Sequence, residues 1–190
     1  MRSLSFVAFA SLSFSLGLVL GCAKDPPRSD PSTTSSASPS TATNGEVTVG
    51  KPPPDFTAKD HLGAELKLSA LKGTPVVVYF YPKDETAGCT AEAKDFRDSW
   101  KDLEKKGVTV IGISTDSADS HKAFATHHGL PFHLVSDDKG TIAKSFGVPN
   151  RLGFLGRQTF VIGADGNLKK IYRDVDVAKH ASEVLADLQS

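Results

Sequence analysis

The chain has 190 residues, of which 39% are hydrophobic, and its 22 basic and 22 acidic side chains cancel. That length and composition support one folded domain with a substantial core. The balanced charge leaves no block of Lys and Arg able to neutralise a run of phosphates, so no nucleic-acid partner is expected.

In chain order, Arg2 precedes an apolar run, Leu4 to Leu20, interrupted by serines and a glycine. A charged start followed by an h-region too short and serine-rich to span a bilayer reads as an export signal. It ends in Val19-Leu20-Gly21-Cys22, which resembles the bacterial lipoprotein box, where the Cys becomes the lipid-modified first residue. Ordinary cleavage after Ala23 is the alternative and would leave a soluble protein. The expected organisation is a signal peptide over 1–21, the lipid-attachment Cys22 with a Ser/Thr/Pro linker over 22–46, and a folded domain over 47–190. The expected location is extracytoplasmic, on the periplasmic side of a bacterial membrane and held there by the lipid. Whichever cleavage operates, Cys89 remains as the sole thiol of the domain, which is odd for an exported chain, whose structural cysteines normally pair.

Within the domain, Pro52-Pro53-Pro54 forbids helix, and two short extended pieces, near Phe56 and over Ala64 to Leu68, flank the turn residues of "KDHLG". Val76 to Tyr81 then predicts a strand, Thr90 to Lys106 a helix, Val108 to Ser114 a strand and Ser117 to His128 a helix. Phe132 to Ser136 predicts a strand, Thr141 to Phe146 a short helix, Thr159 to Ile162 and Leu168 to Tyr172 a hairpin around "GADGN", and Asp176 to Leu188 a last helix. Helices alternating with strands imply an α/β domain, a sheet with helices on its faces. Phe96, Trp100 and Leu103 recur at helical spacing, which places Trp100 in the core.

The strand Val76 to Tyr81 runs into a loop and then a helix beginning around Ala87 to Thr90, so Cys89 falls in the first helical turn just past a strand's C-terminal end. Chemistry in open α/β sheets favours that place, and unpaired helix amides there favour thiolate. A helix terminus is worth only about 0.3 to 1 kcal/mol when exposed. That is less than the roughly 1.4 kcal/mol of one pKa unit. Asp84, Glu85 and Glu92 lie close in sequence and oppose the effect. A reactive Cys89 therefore needs a cation from a distant segment.

The stretch "FYPKDETAGCTAEAKDFRD" resembles the active-site segment of peroxiredoxins, within them the bacterioferritin-comigratory, or Q-type, subfamily. The resemblance runs from Pro53 to about Leu185 and includes "GISTDSADSHKAF", "GLPFHLVSDDKG" and "RQTFVIGADG". The signature Pro-x-x-x-Thr-x-x-Cys is met by Pro82, Thr86 and Cys89. The resemblance implies a thioredoxin-like fold, with a central mixed sheet, helices on both faces and an N-terminal hairpin. It implies that Cys89 is the peroxidatic cysteine, attacking a hydroperoxide to give a sulfenic acid. It assigns Arg157, which precedes the strand "TFVI", as the missing cation, Thr86 as a hydroxyl bonding thiolate and peroxide, and Pro82 as a shield against water.

Structural roles compete with each assignment: Thr86 as a helix cap, Pro82 as a strand terminator, and Arg97 or Arg151 as the cation in place of Arg157. His121, His127 and His128 sit on a mostly polar helix, where a solvated face or core packing is expected in place of a metal site. Glu92 is expected as a favourable acid in a first helical turn. No cofactor and no metal are expected.

One departure from the family changes the chemistry. Many Q-type members carry a second cysteine five residues after the first; here that residue is Lys94. The implied enzyme is a one-cysteine, thiol-dependent peroxidase for hydrogen peroxide and organic hydroperoxides, its sulfenic acid released by an external thiol from a thioredoxin-like protein or a small thiol. It is expected as a monomer or weak homodimer. The rivals are a tethered thioredoxin-like disulfide reductase, which usually carries a Cys-x-x-Cys pair, and a catalytically silent binding domain.

Overall fold

The structure, a computed structural model, describes residues 47–188; the export segment, Cys22 and the linker up to residue 46 lie outside the described residues. Strands β1 (Thr57–Lys59) and β2 (Glu65–Lys67) pair antiparallel as the expected hairpin. Asp60 closes its turn, with Oδ1 accepting from the backbone N–H groups of Leu62 and Ala64, each at 2.9 Å. A 3-10 turn (Leu68–Leu71) leads into β3 (Val76–Phe80), followed by α1 (Ala87–Asp98), α2 (Trp100–Lys105), β4 (Thr109–Ser114), α3 (Ala118–His128) and β5 (His133–Ser136). Then come α4 (Thr141–Ser145), β6 (Asn150–Arg151), β7 (Phe154–Leu155), β8 (Gln158–Ile162), β9 (Leu168–Tyr172) and α5 (His180–Asp187).

The main sheet runs β5-β4-β3-β8-β9, with β3, β4 and β5 parallel and β8 and β9 antiparallel to their neighbours. This is the mixed, thioredoxin-like sheet that the family resemblance implies. Side chains alternate across a strand, and β3 is buried on both faces. Val77, Tyr79 and Tyr81 join a core with Ala93, Phe96, Leu103, Phe124 and Val184 from α1, α2, α3 and α5. Val76, Val78 and Phe80 point the other way, toward Phe56, Leu66, Ala143 and Phe146. Helices therefore cover both faces.

At Gly112 in β4, a side chain could not be accommodated. A Cβ there would stand 2.7 Å from Cζ and Oη of Tyr79 and 2.8 Å from Cδ2 of Leu134. Tyr79 is thereby laid flat across the sheet, its ring 5.4 Å from that of Tyr81 and 5.0 Å from that of Phe96.

The elements depart from expectation in three places. The helix expected to be continuous from Thr90 to Lys106 breaks at Ser99, a residue that competes with the helix for hydrogen bonds. Trp100 consequently packs half-buried against the core's edge while Phe96 and Leu103 are fully buried. The last helix starts at His180, because Asp176 spends its carboxylate on a turn, accepting from Ala178 N–H at 3.1 Å. The third departure is the hairpin formed by β6 and β7, whose tip, Leu152 and Gly153, has φ of 54° and 86°. Leucine is an unusual choice for a left-handed turn position, which is why the sequence did not flag it.

Candidate active site

Strand β3 delivers Tyr81 and the loop 82–86 to the sheet's C-terminal edge, and α1 starts at Ala87. Cys89 is in the first turn of α1, as expected, free and 2% exposed. Antiparallel register pairs Phe80 with Gln158. The residue before Gln158 therefore lies beside the end of β3, and that residue is Arg157.

Arg157 Nη2 donates to Cys89 Sγ at 3.2 Å. Arg157 Nη1 donates to Glu92 Oε2, forming an ion pair in which the Glu92 side chain is fully buried. The planar fork of one guanidinium thus binds the sulfur and a carboxylate at once. Burial works against the charge on Arg157, but Glu92 and Cys89 outweigh it and raise the pKa further. Burial pushes Glu92 up to about 7, even though Arg157 opposes the shift. The expected role of Glu92 as a favourable acid in the first helical turn is therefore corrected: it lies beyond that turn, one turn after Cys89 on the same helix face, and holds the arginine.

The rival cations lie elsewhere. Arg97 pairs with Asp98 and donates to the carbonyl of His128, and Arg151 lies exposed on the β6–β7 hairpin. The other nearby acids are also partnered. Asp84 accepts from Tyr81 Oη at 2.8 Å, Ser120 Oγ at 2.7 Å and His121 Nδ1 at 2.9 Å. Burial pushes Asp84 up, but His121, Ser120 and Tyr81 together hold it below the usual carboxylate range. Glu85 accepts from His127 Nδ1 and His128 Nε2, each at 3.0 Å. So Asp84 and Glu85 meet donors of their own, whereas Glu92 shares Arg157 with Cys89 and its Oε1 is buried without a hydrogen-bond partner among the described residues.

Thr86 occupies the N-cap position of α1, but its side chain makes no cap hydrogen bond; Oγ1 donates to the Lys83 carbonyl at 3.1 Å. The capping expectation is corrected accordingly, since the loop claims the hydroxyl that the helix would have used. Pro82 is half-buried at the loop's start, directly after Tyr81. Behind the site His180 Nε2 meets Thr159 Oγ1 at 2.7 Å, and its ring stands edge-on to Phe96 and Tyr172. Burial, with Arg157 adding to it, depresses His180 to about 4, so its ring is neutral at physiological pH.

Two groups escaped sequence reasoning. Glu92 had a usable signal, the i, i+3 spacing from Cys89 that puts both on one face. The Tyr81–Asp84–His121 cluster had none, because it joins a loop to a helix that only the fold brings together. His121 is a buried residue of this cluster, as core packing allowed.

A buried cysteine at a helix start, past the end of a central strand and hydrogen-bonded by an arginine, defines a thioredoxin-fold thiol enzyme. Residues 49–171 match the AhpC/TSA family. The chain is 49% identical over 148 residues to a chloroplastic peroxiredoxin Q of Sedum lineare, covering 76% of this chain and 80% of that one. It is 42% identical over 149 residues to a putative peroxiredoxin bcp of Coxiella burnetii, covering 75% and 99%. Among solved structures it is similar to peroxidoxin BcpB from Mycobacterium tuberculosis, with TM-score 0.70 and 35% identity over 76% of this chain and 97% of that one. A Xanthomonas campestris bacterioferritin comigratory protein, described for its alkyl peroxide reduction activity, gives TM-score 0.68 and 33% identity over 75% and 98%. The chain belongs to the peroxiredoxin Q and bacterioferritin-comigratory branch of the AhpC/TSA family, and is a thiol-dependent peroxidase.

Proposed function

We propose that Cys89 is the peroxidatic residue and that Arg157 is its activating cation. The single observation that carries this is the hydrogen bond from Arg157 Nη2 to Cys89 Sγ. The guanidinium donors face the place where negative charge builds as an O–O bond breaks. The thiolate attacks the terminal peroxide oxygen, forming an S–O bond. The O–O pair of electrons leaves with the other oxygen, which takes a proton to become water or an alcohol. The Thr86 hydroxyl, which donates to the Lys83 carbonyl in the structure, is the proposed second contact for the peroxide, and Pro82 the proposed shield against water at the loop's start. Support for organic hydroperoxides beside hydrogen peroxide comes from the activity described for the Xanthomonas relative.

Cys89 is the sole cysteine among the described residues, and Lys94 stands where a resolving thiol would be. An external thiol, of thioredoxin type or a small molecule, therefore attacks the sulfenic sulfur, releases water and forms a mixed disulfide that a second thiol reduces. With Cys89 2% exposed, that attack requires the first turn of α1 to open. We further propose that Cys22 is lipidated and anchors the enzyme outside the cytoplasm, with the Ser/Thr/Pro segment as tether; the support is the sequence of the leader alone. No helix among the described residues is long and apolar enough to cross a membrane.

The test is peroxide consumption with dithiothreitol, together with labelling by a dimedone-type sulfenic acid probe. Cys89→Ser is expected to abolish both. A Cys89→Ser protein consuming peroxide at the native rate would overturn the assignment. Mass spectrometry of the membrane-extracted chain tests the anchor, with an unmodified N-terminus beyond Ala23 as the contrary result.

A further inference from the structure

We propose that Glu85, His127 and His128 form a binding site for a divalent transition cation of the zinc class, outside the peroxidase centre. The three residues come from two segments, the loop 82–86 and the last turn of α3. One ligand atom from each lies within 4.8 Å of the others. The carboxylate already stands 3.0 Å from His127 Nδ1 and 3.0 Å from His128 Nε2. The two imidazoles meet different oxygens of Glu85, and a tetrahedral site with metal–ligand bonds of about 2.0–2.2 Å has ligand–ligand edges of roughly 3.3–3.6 Å, so ligand atoms already within 4.8 Å of one another converge on a cation by side-chain adjustment of about an ångström.

The arrangement is more specific than three polar residues at a surface. Successive residues on a helix normally diverge by about 100°, yet these two imidazoles stack at 4.2 Å and 27° because both turn to the same carboxylate. His128 is the anchored member, its side chain 9% exposed and its ring edge-on to Phe124 at 5.0 Å. Glu85 and His127 are 50% and 69% exposed, which leaves room for solvent to complete the coordination sphere. Glu85 is held at φ 58°, a left-handed conformation uncommon outside glycine, and so is aimed by its backbone.

Two imidazole nitrogens and one carboxylate oxygen match zinc, copper(II) or nickel(II), and suit magnesium or calcium poorly. On binding, the N–H protons now directed at Glu85 leave those nitrogens, and each ring coordinates as neutral imidazole. The site also has a mechanical consequence. Glu85 directly precedes Thr86, the N-cap residue of the helix carrying Cys89. A cation shared with α3 pins that loop and opposes the opening of α1 that an external thiol requires. This consequence rests on the peroxidase reading; the site itself does not.

The experiment uses the full chain with both thiols removed, Cys22→Ser with Cys89→Ser, so that sulfur contributes nothing. Titration with Co2+ is expected to raise a visible d–d absorption that saturates at one equivalent and is displaced by Zn2+. Glu85→Gln and His127→Ala, added separately, are each expected to weaken binding by about tenfold or more. Absence of saturable binding at millimolar metal, or binding unchanged in both variants, overturns the site. In the same thiol-free chain, zinc is expected to slow amide exchange over residues 86–90; unchanged exchange with metal bound overturns the clamp. Because the binding measurement involves no peroxide and no Cys89, its failure is distinct from failure of the peroxidase assignment.

Discussion

Arg157 donates to the sulfur of Cys89 at 3.2 Å across a sequence separation of 68 residues, and the same guanidinium is paired with Glu92. One guanidinium thus serves two partners, so Glu92 both holds the arginine in place and competes with the sulfur for its donors. The reactivity of the sulfur depends on how that fork divides its charge.

Removing the guanidinium tests the fork directly. Arg157→Ala should lower kcat/KM for hydrogen peroxide by about 10² to 10³, the usual loss for one preorganised donor at developing charge. Arg157→Lys should recover only part, because a single ammonium nitrogen lacks the fixed planar fork that sets separate donors on sulfur and carboxylate. Stopped-flow peroxide consumption distinguishes the three proteins, and an alanine variant at native rate would refute the role.

Glu92 makes stability depend on pH in an unusual direction. Its folded pKa of about 7 lies above the ordinary 4.5, so the folded state binds the proton more tightly than the unfolded one. That contribution is full below 4.5 and is lost as pH rises toward 7. Glu92→Gln should remove the loss, so denaturant midpoints of the variant should gain on wild type between those values. The same variant should flatten any dependence of the peroxide rate on pH near 7, because the competing carboxylate is gone.

His180 has the opposite sign. Its folded value of about 4 lies below the ordinary 6.5, so the folded state resists a proton that the unfolded chain accepts. Stability from this group is present above 6.5 and falls as pH drops toward 4. In wild type the two slopes oppose each other over the shared range. In Glu92→Gln the opposing slope is gone, and His180, with His61 whose pKa burial also lowers, should make the midpoint fall on acidification; a flat profile there would contradict the buried neutral imidazole.

Gly112→Ala probes the packing that lays Tyr79 across the sheet. The new methyl would stand 2.7 Å from the Tyr79 ring, with Leu134 closing the other side. Overpacking of this kind costs about 1 to 3 kcal/mol. Thermal unfolding should show it, and a native melting temperature would mean that Tyr79 has somewhere else to go.

Asp84→Ala should loosen the loop ahead of Cys89. It deprives Tyr81, Ser120 and His121 of an acceptor; Tyr81 Oη and His121 Nδ1, 3.2 Å apart, have only each other in its place, and a buried group left unpaired costs about 1 to 3 kcal/mol. Faster proteolysis or amide exchange over residues 82–88 is the expected readout, with Asp84→Asn milder because it retains one acceptor oxygen.

The order of strands and helices was legible from the chain because it is written in local patterns: the apolar run Val76 to Tyr81, the helical spacing of Phe96 and Leu103, the turn residues of "GADGN". Placing Cys89 in the first turn of a helix needed only neighbours within a few residues. Where local signals were weak or conflicting, at Ser99, at Asp176 and at the Leu152 turn, element boundaries were misplaced or an element was missed. The partners of the charged groups were a different matter. Arg157, Arg97 and Arg151 were alternatives in the sequence, and the choice among them comes from the pairing of Phe80 with Gln158, a register between strands far apart in the chain. Likewise nothing local says that Asp84 meets His121, that Glu85 meets His127 and His128, or that Glu92 is buried against an arginine. Propensity and periodicity act over a turn or a strand, whereas the field at a sulfur is the sum of charges brought together by packing, and packing belongs to the folded domain as a whole.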